Sequence, residues 1–170
     1  MGRGHREDAP QALIPAMALR EFENAAELVA AVGQELGVSD WFPMDQGRID
    51  GFAGVTKDDF WLHTDPERAA RESPHGKTLV HGMLTLSLMA HLARRIWKIK
   101  TMTSGLNYGY DRTRFLSPVF PGDRVRLRRT LLEAERTAQG LRMRFKDVME
   151  VEGRDKPACV TENISLYQAD

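Results

Sequence analysis

HGMLTLSLMAHLARRIW, residues 81–97, contains the longest apolar-rich run of the chain. Its apolar positions are too numerous for one helical stripe: Met83, Leu84, Leu86, Leu88, Met89, Leu92, Ala93, Ile96 and Trp97. A helix that is apolar nearly all round is buried nearly all round. We therefore expect a central buried helix that opens at Gly82 and places Met83 and Met89 in the core.

Beyond residue 100 the sequence alternates between apolar and polar side chains, which is the period of a β-strand. Segments 120–123 (FPGD) and 152–157 (EGRDKP) have the composition of turns. We expect a meander of antiparallel strands here. Its alternating apolar positions are Val125 and Leu127, then Leu141, Met143, Phe145, Met149 and Val151, then Ala158, Val160, Ile164 and Leu166. A buried helix followed by such strands predicts an α+β fold, with a curved antiparallel sheet wrapped around the helix.

The segments on the amino-terminal side of the apolar run suggest further helices. FENAAELVAAVGQELG (22–37) has apolar residues at helical spacing and ends at Gly37, which is typical of a C-cap. We also expect a short helix after Asp45. Gly47 weakens that second helix slightly, because glycine is a poor helix former.

Residues 63–72, HTDPERAARE, indicate a loop that passes into a helix. Thr64 with Glu67 fits a capping box. Asp65 followed by Pro66 fits the alternative, an aspartate N-cap with proline at the first helical position. Either arrangement places a histidine just before a helix start.

The length of 170 residues is most simply one domain. No internal repeat or low-complexity linker divides the chain. Residues 1–12, MGRGHREDAPQA, carry charges and a proline where a signal peptide needs an apolar core. We therefore interpret residues 1–18 as a disordered leader and residues 19–170 as a single domain.

The charge balance excludes several classes of partner. With 24 basic and 24 acidic residues the formal net charge is zero, so neither nucleic-acid binding nor general attraction to an anionic membrane is expected. The apolar run is far shorter than the ~20 residues that span a bilayer. The single cysteine, Cys159, excludes an internal disulfide and is typical of a reducing compartment. We expect a cytoplasmic protein.

Titratable side chains cluster just before the apolar run, with acids at positions 58, 59 and 65 and histidines at 63, 75 and 81. By residue type alone, Asp58 is more often a cap or turn residue than a catalytic one, and His63 more often a hydrogen-bonded surface residue. His81 is more readily a tie between the loop and the central helix than a proton-transfer group. A metal site is not expected, because no histidine pair at i, i+4 and no cysteine supports one.

Three stretches of the sequence resemble a known family: QGRIDGFAGVTKDDFWLHTDPERAA (46–70), LVHGMLTLSL (79–88) and NYGYDRTRFLSPVFPGDRV (107–125). They are similar, in the same order, to the MaoC-like hydratase/dehydratases. That family includes the (R)-specific enoyl-CoA hydratases and the bacterial 3-hydroxyacyl-thioester dehydratases. The resemblance spans about residues 19–167. It implies a hot-dog fold, a homodimer in which two sheets join, and no metal or redox cofactor, with coenzyme A or acyl carrier protein as the carrier of the substrate.

The resemblance also implies site residues. In that family the aspartate and histidine of a D-x-x-x-x-H element are catalytic, and a backbone amide at the glycine of an H-G element holds the thioester carbonyl. The spacing matches Asp58 with His63, whereas Asp59 is one position too close. Asp58, His63 and Gly82 are therefore the predicted catalytic residues. The further predicted substrate contacts are His81, Met83, Asn107, Tyr108, Arg94 and Arg95.

The implied activity is the reversible hydration of trans-2-enoyl thioesters to (R)-3-hydroxyacyl thioesters by general acid-base catalysis. Two alternatives remain open at this point. A hot-dog thioesterase is disfavoured, because residues 82–97 contain no acid. A non-catalytic acyl-thioester binding module is suggested by Phe60 and Ala90, which stand where family members carry an amide residue and, in some cases, a serine.

Overall fold

The computed structural model describes residues 19–170, so the predicted leader at residues 1–18 lies outside the described residues. The helices are α1 (Ala25–Val29), α2 (Gln46–Thr56), α3 (Trp61–Thr64), α4 (Pro66–Glu72) and α5 (Gly82–Ala93). The strands are β1 (Arg20–Phe22), β2 (Glu35–Val38), β3 (Phe42–Pro43), β4 (Trp97–Ile99), β5 (Ser104–Phe115), β6 (Arg124–Thr137), β7 (Gly140–Val151) and β8 (Cys159–Gln168). Within this part of the chain no helix is both long and apolar enough to cross a membrane.

The main sheet has the order β2-β6-β7-β8-β5, with β3 paired to β6, and its pairs are antiparallel. Strands β6, β7 and β8 form the predicted meander, and residues 120–123 and 152–157 lie outside the strands as predicted. The prediction of a single meander was wrong for β5. That strand pairs with β8 rather than β6, so residues 116–123 carry the chain across to the other side of the sheet. The predicted α+β arrangement of a sheet around a helix is confirmed.

Helix α5 supplies the centre of the core. Its buried apolar residues are Leu84, Leu86, Met89, Leu92 and Ala93. The helix is not buried on every side, because Met83, Ser87, Ala90 and Arg94 form an exposed stripe along it. The prediction that Met83 is a core residue was wrong, since 57% of this residue is exposed. The sheet covers one side of the helix, and residues spaced by three or four share the open side.

The side chains of strand β8 face the opposite way from the prediction, which placed the apolar even positions on the core side. The odd positions point into the core side, where Cys159, Thr161, Asn163 and Ser165 are buried. Of the even positions, only Ile164 falls below a tenth exposed within the strand. The register explains this, because β8 pairs residue by residue with β7 and Met149, which is buried, lies opposite Cys159. The inner face of the sheet therefore carries a polar patch.

The long helix predicted over residues 22–37 was also wrong. Helix α1 ends at Val29, and the chain turns before entering β2, where Gly37 is part of a strand instead of a C-cap. Strand β2 pairs with β6 and buries Leu36 and Val38. Pairing with a long strand thus overrides the local helical spacing.

The two helix starts ahead of the site follow the sequence more closely. Helix α2 begins after Asp45, whose side chain accepts a hydrogen bond from the Arg48 amide at 2.8 Å. Helix α4 uses the second of the two predicted caps, with Asp65 accepting from the Arg68 amide at 2.9 Å and Pro66 at the first helical position. These caps fix the ends of the segment that carries the predicted catalytic residues.

Candidate active site

The turn between α2 and α3 brings Asp58 and His63 together. Lys57 ends α2 with a left-handed backbone (φ 63°), which redirects the chain so that Asp58 follows immediately. A carboxylate oxygen of Asp58 and ring nitrogens of His63 and His81 all lie within 4.8 Å of one another. A water that accepts or donates ordinary hydrogen bonds of about 2.8 Å to each of two groups fits between atoms at this separation.

The ring of His63 is held in one tautomer by a backbone contact. Its Nδ1 lies 2.7 Å from the carbonyl oxygen of Leu79. A carbonyl oxygen only accepts, so in the neutral ring Nδ1 carries the proton and Nε2 keeps a lone pair. His63 therefore offers a basic nitrogen at the ring atom not used in binding the backbone.

The backbone beneath His63 is anchored by Gln46, at the start of α2. Its Nε2 donates to the His63 carbonyl oxygen at 2.7 Å, and its Oε1 accepts from the Thr78 hydroxyl at 2.6 Å. Sequence reasoning missed Gln46 and Thr78. No local pattern could have found them, because these bonds join residues that are distant along the chain.

His81 links the loop of Asp58 to the start of α5. It is 2% exposed, its ring stacks on that of His63 at 3.8 Å between centroids, and Phe52 packs on it at 5.0 Å. Nε2 of His81 donates to the Asp58 carbonyl oxygen at 2.9 Å and lies 4.0 Å from the Asp58 carboxylate. The other nitrogen, Nδ1, has no partner within residues 19–170.

The donor set of Asp58, His63 and His81 has the right composition for a cation, but one ring nitrogen of each histidine is already used in another bond. His63 Nδ1 and His81 Nε2 each bind a backbone carbonyl oxygen. His75 lies elsewhere, with its ring packed on Phe120 at 5.2 Å. The expectation that the protein needs no metal stays a prediction.

The amide of Gly82 is available to a ligand. Gly82 is the first residue of α5, and His81 at the N-cap position makes no side-chain capping bond. The amides of a helix's first turn have no partner inside the helix, and the helix dipole favours negative charge there. Gly82 also borders a cavity of about 250 Å³, and a Cβ at this position would lie 3.1 Å from the ring of Phe115. Glycine is therefore the residue that keeps this approach open.

The other predicted substrate residues are spread along α5 and β5. Arg94 and Arg95 follow the far end of α5, about 18 Å from Gly82 at 1.5 Å per residue. Within the described residues neither arginine has an ion pair, whereas Lys98 and Lys100 bind Glu21 and Glu23. The structure does not bring these cations to the Asp58–His63 pair.

Strand β5 places its two predicted contacts on opposite faces of the sheet. Asn107 pairs with Ser165 in the ladder and bonds to Asn163 at 2.7 Å, on the inner face. Tyr108 lies at a register shift and borders an outer cavity with Arg142 and Leu166. Of these two predicted contacts, only Asn107 therefore lies on the inner side of the sheet, where α5 packs.

Comparisons with known proteins agree with the fold and with the sequence motifs. A family model described as "MaoC like domain" matches residues 27–152. The chain is 41% identical to 3-hydroxyacyl-thioester dehydratase Z of Mycobacterium tuberculosis over 152 residues, covering 89% of this chain and 100% of that protein. It is 45% identical to nodulation protein N of Rhizobium leguminosarum bv. viciae, covering 85% and 91%.

A solved structure gives the same architecture. R-hydratase PhaJ1 from Pseudomonas aeruginosa, in the unliganded form, matches with a TM-score of 0.69 and 22% identity over 86% of each chain. At that identity the likeness concerns the fold, which is the hot-dog fold expected from the sequence. Because the family match extends over most of the chain and the relatives are covered almost completely, this protein belongs to the MaoC-like dehydratase family.

Proposed function

We propose that this protein catalyses the reversible hydration of trans-2-enoyl thioesters to (R)-3-hydroxyacyl thioesters, which makes it a hydro-lyase. The observation that carries the proposal is the approach of the Asp58 carboxylate to a ring nitrogen of His63, whose Nε2 keeps a lone pair, next to the His81–Gly82 peptide. The family membership and the name of the mycobacterial relative support it.

The chemistry needs a proton acceptor, a proton donor and a stabilised enolate-like oxygen. In the proposed reaction Asp58 and His63 hold one water and accept a proton as its oxygen bonds to C3. The pair then returns a proton to C2 on the same face, so its protonation state is restored. The Gly82 amide donates to the thioester oxygen, on which negative charge develops between the two steps. General acid-base catalysis of this kind typically contributes about 10²–10⁴-fold.

A direct assay tests the reaction. We expect the purified protein to lower the ultraviolet absorbance of the conjugated bond in crotonyl-CoA or a longer 2-enoyl-CoA until equilibrium is reached. The product, separated on a chiral phase, should be the (R)-3-hydroxyacyl-CoA. Release of free thiol without hydration would instead indicate a thioesterase, and binding without either product would indicate a non-catalytic module. Both results would contradict the proposal.

We also propose that the active protein is a homodimer. Strand β5 is at an edge of the sheet, so one side of its backbone is unpaired within the described residues. Large apolar side chains on and beside this strand are exposed: Leu106 (64%), Tyr108 (67%), Phe115 (50%) and Leu116 (38%). An unpaired edge can pair with the edge of another chain, and an exposed apolar patch marks an interaction site.

Light scattering on the purified protein tests the dimer. We expect twice the 19.2 kDa of one chain. An arginine placed at Leu106 should favour the monomer, because it would bring like charges together across the joined edges. A monomeric wild type at micromolar concentration would contradict the proposal.

A further inference from the structure

A second cavity, of about 180 Å³, lies beside the carboxyl end of α5. Its wall includes Ala90 and Arg94 from the helix, Asn107 and Tyr110 from β5, and Arg129 from β6. The cavity at Gly82 is bounded by the same two elements, α5 and the far end of β5. Both cavities therefore border α5 and β5, one at Gly82 and the second towards the other end of the helix.

The second cavity is lined by charged and polar groups rather than by hydrocarbon. Arg129 is 3% exposed, and its Nε donates at 2.7 Å to Asp147, which is fully buried. Its Nη2 donates to the other Asp147 oxygen and, at 3.3 Å, to Asn163 Oδ1. Asn163 in turn donates to Asn107, and Ser165 donates to Asn163. A buried ion pair seldom adds stability over well-packed apolar residues, so stability alone does not account for this patch.

Besides the exposed Arg94, two hydrogen-bond donors on the cavity wall have no acceptor within residues 19–170. Arg129 Nη1 makes no hydrogen bond, although both other guanidinium nitrogens do. The Tyr110 hydroxyl oxygen accepts from Asn107 at 2.6 Å, and its own proton is not donated. Burial raises the pKa of Tyr110, which keeps that proton in place. The unsatisfied groups are both donors, so the cavity suits a ligand that supplies an acceptor.

The charge on the wall indicates which acceptor fits best. Arg129 is neutralised by Asp147, with which it forms a two-point ion pair. Arg94 also borders the cavity and has no ion pair within the described residues. One positive charge is therefore left over, which matches a single negative charge on a ligand.

We propose that the two cavities belong to one cleft between α5 and β5, and that the second cavity, at its far end, is a binding subsite for an oxygen acceptor on the acyl chain. The acceptor is a carboxylate by preference, held by Arg129, Tyr110 and Arg94. This rests on the proposed function, because it takes the acyl group to run from Gly82 along α5. The substrate class is then an enoyl thioester whose chain carries an oxygen function away from the reacting bond. A plain hydrocarbon chain would leave both donors buried and unpaired, which is unfavourable.

Calorimetry with unreactive ligands tests the subsite without relying on turnover. Saturated acyl-CoA thioesters would be compared in sets of equal chain length, ending in a methyl group, a hydroxyl group or a carboxylate. At the length that spans the cleft we expect the carboxylate to bind at least ten-fold more tightly than the methyl-ended thioester, with the hydroxyl between them. Equal or tighter binding of the methyl-ended thioester at every length would overturn the inference. The carboxylate preference without hydration of any enoyl-CoA would overturn only the proposed reaction.

Variants of the cavity wall test which side chains cause the preference for a carboxylate. Tyr110→Phe should lower the carboxylate-to-methyl affinity ratio several-fold. The double variant Arg129→Met with Asp147→Leu should also lower it several-fold, because it removes the Arg129 donor without changing the net charge of the wall. Tyr108→Phe makes the same chemical change two residues away, on the outer face, and should leave the ratio as it is. If Tyr108→Phe lowered the ratio as much as Tyr110→Phe, the preference would arise elsewhere and the subsite would be wrong.

Discussion

Replacing Asp58 by Asn should reduce enoyl-CoA hydration by about 10²–10⁴-fold, which is the usual contribution of a positioned general base. The amide keeps the size of the side chain but cannot take a proton from water. His63→Gln should have an effect of the same order, because it removes the imidazole, a ring nitrogen of which lies within 4.8 Å of the carboxylate. Steady-state kinetics should show the loss in kcat, since the water is activated after the substrate binds.

The neighbouring acid provides the control. Asp59 is the next residue and has the same side chain, but it is one position too close to His63 to match the spacing of the catalytic pair. Asp59→Asn should keep most of the wild-type rate. The thermal unfolding midpoints of both aspartate variants should match that of the wild type, because Asp58 is 56% exposed in its side chain and its removal leaves no buried group unpaired. Full activity in the Asp58→Asn, His63→Gln double variant would contradict the prediction that these two residues are catalytic.

The parts of the site that could be predicted are those whose spacing is local. Asp58 and His63 lie on one short segment, and Gly82 opens a helix whose apolar composition is plain in the sequence. The anchors of this site could not be predicted in the same way. Gln46 and the Leu79 carbonyl reach His63 from 17 and 16 residues away, and only the folded chain brings them together.

The fold shows the same division between local and distant information. The hairpins of β6, β7 and β8 follow from alternation and turn residues, whereas the pairing of β5 with β8 depends on how the sheet closes. In β8 the apolar residues misled, because the register with β7 turns Thr161, Asn163 and Ser165 inward. A polar inner face has no signature in a sequence when the outer face of the same strand is apolar.

Replacing Arg129 by Met should cause a large loss in the free energy of unfolding. The variant leaves Asp147 fully buried without its cation, and breaking a buried pair in this way typically costs about 3–5 kcal/mol. The double variant Arg129→Met, Asp147→Leu removes both charges, so its free energy of unfolding should lie near or above that of the wild type. Urea unfolding measures both values.

Arg128 is the matched control, because it is the preceding residue of the same strand but lies on the outer face. Its side chain is 35% exposed and bonds to Glu35 and Glu150. Surface pairs contribute little, so Arg128→Met should cost roughly 1 kcal/mol. A similar loss of unfolding free energy in Arg128→Met and Arg129→Met would show that the buried ion pair contributes no more to stability than the surface pair.

The pH dependence of Arg129→Met should identify the cause of its instability. Burial raises the pKa of Asp147 even in the wild type, although Arg129 opposes the shift. Without Arg129 the folded-state pKa rises further, while the unfolded carboxyl keeps its usual pKa of about 3.9. Between these two values the folded state binds more protons than the unfolded state, so the free energy of unfolding falls as pH rises. Arg129→Met should therefore approach the wild type in stability towards pH 4 and become less stable than the wild type as the pH rises above 4.

The double variant should show no such pH dependence, because it has no carboxyl at position 147. A constant deficit at every pH in the single variant would point to lost packing of the Arg129 side chain on Phe145 instead of an uncompensated charge.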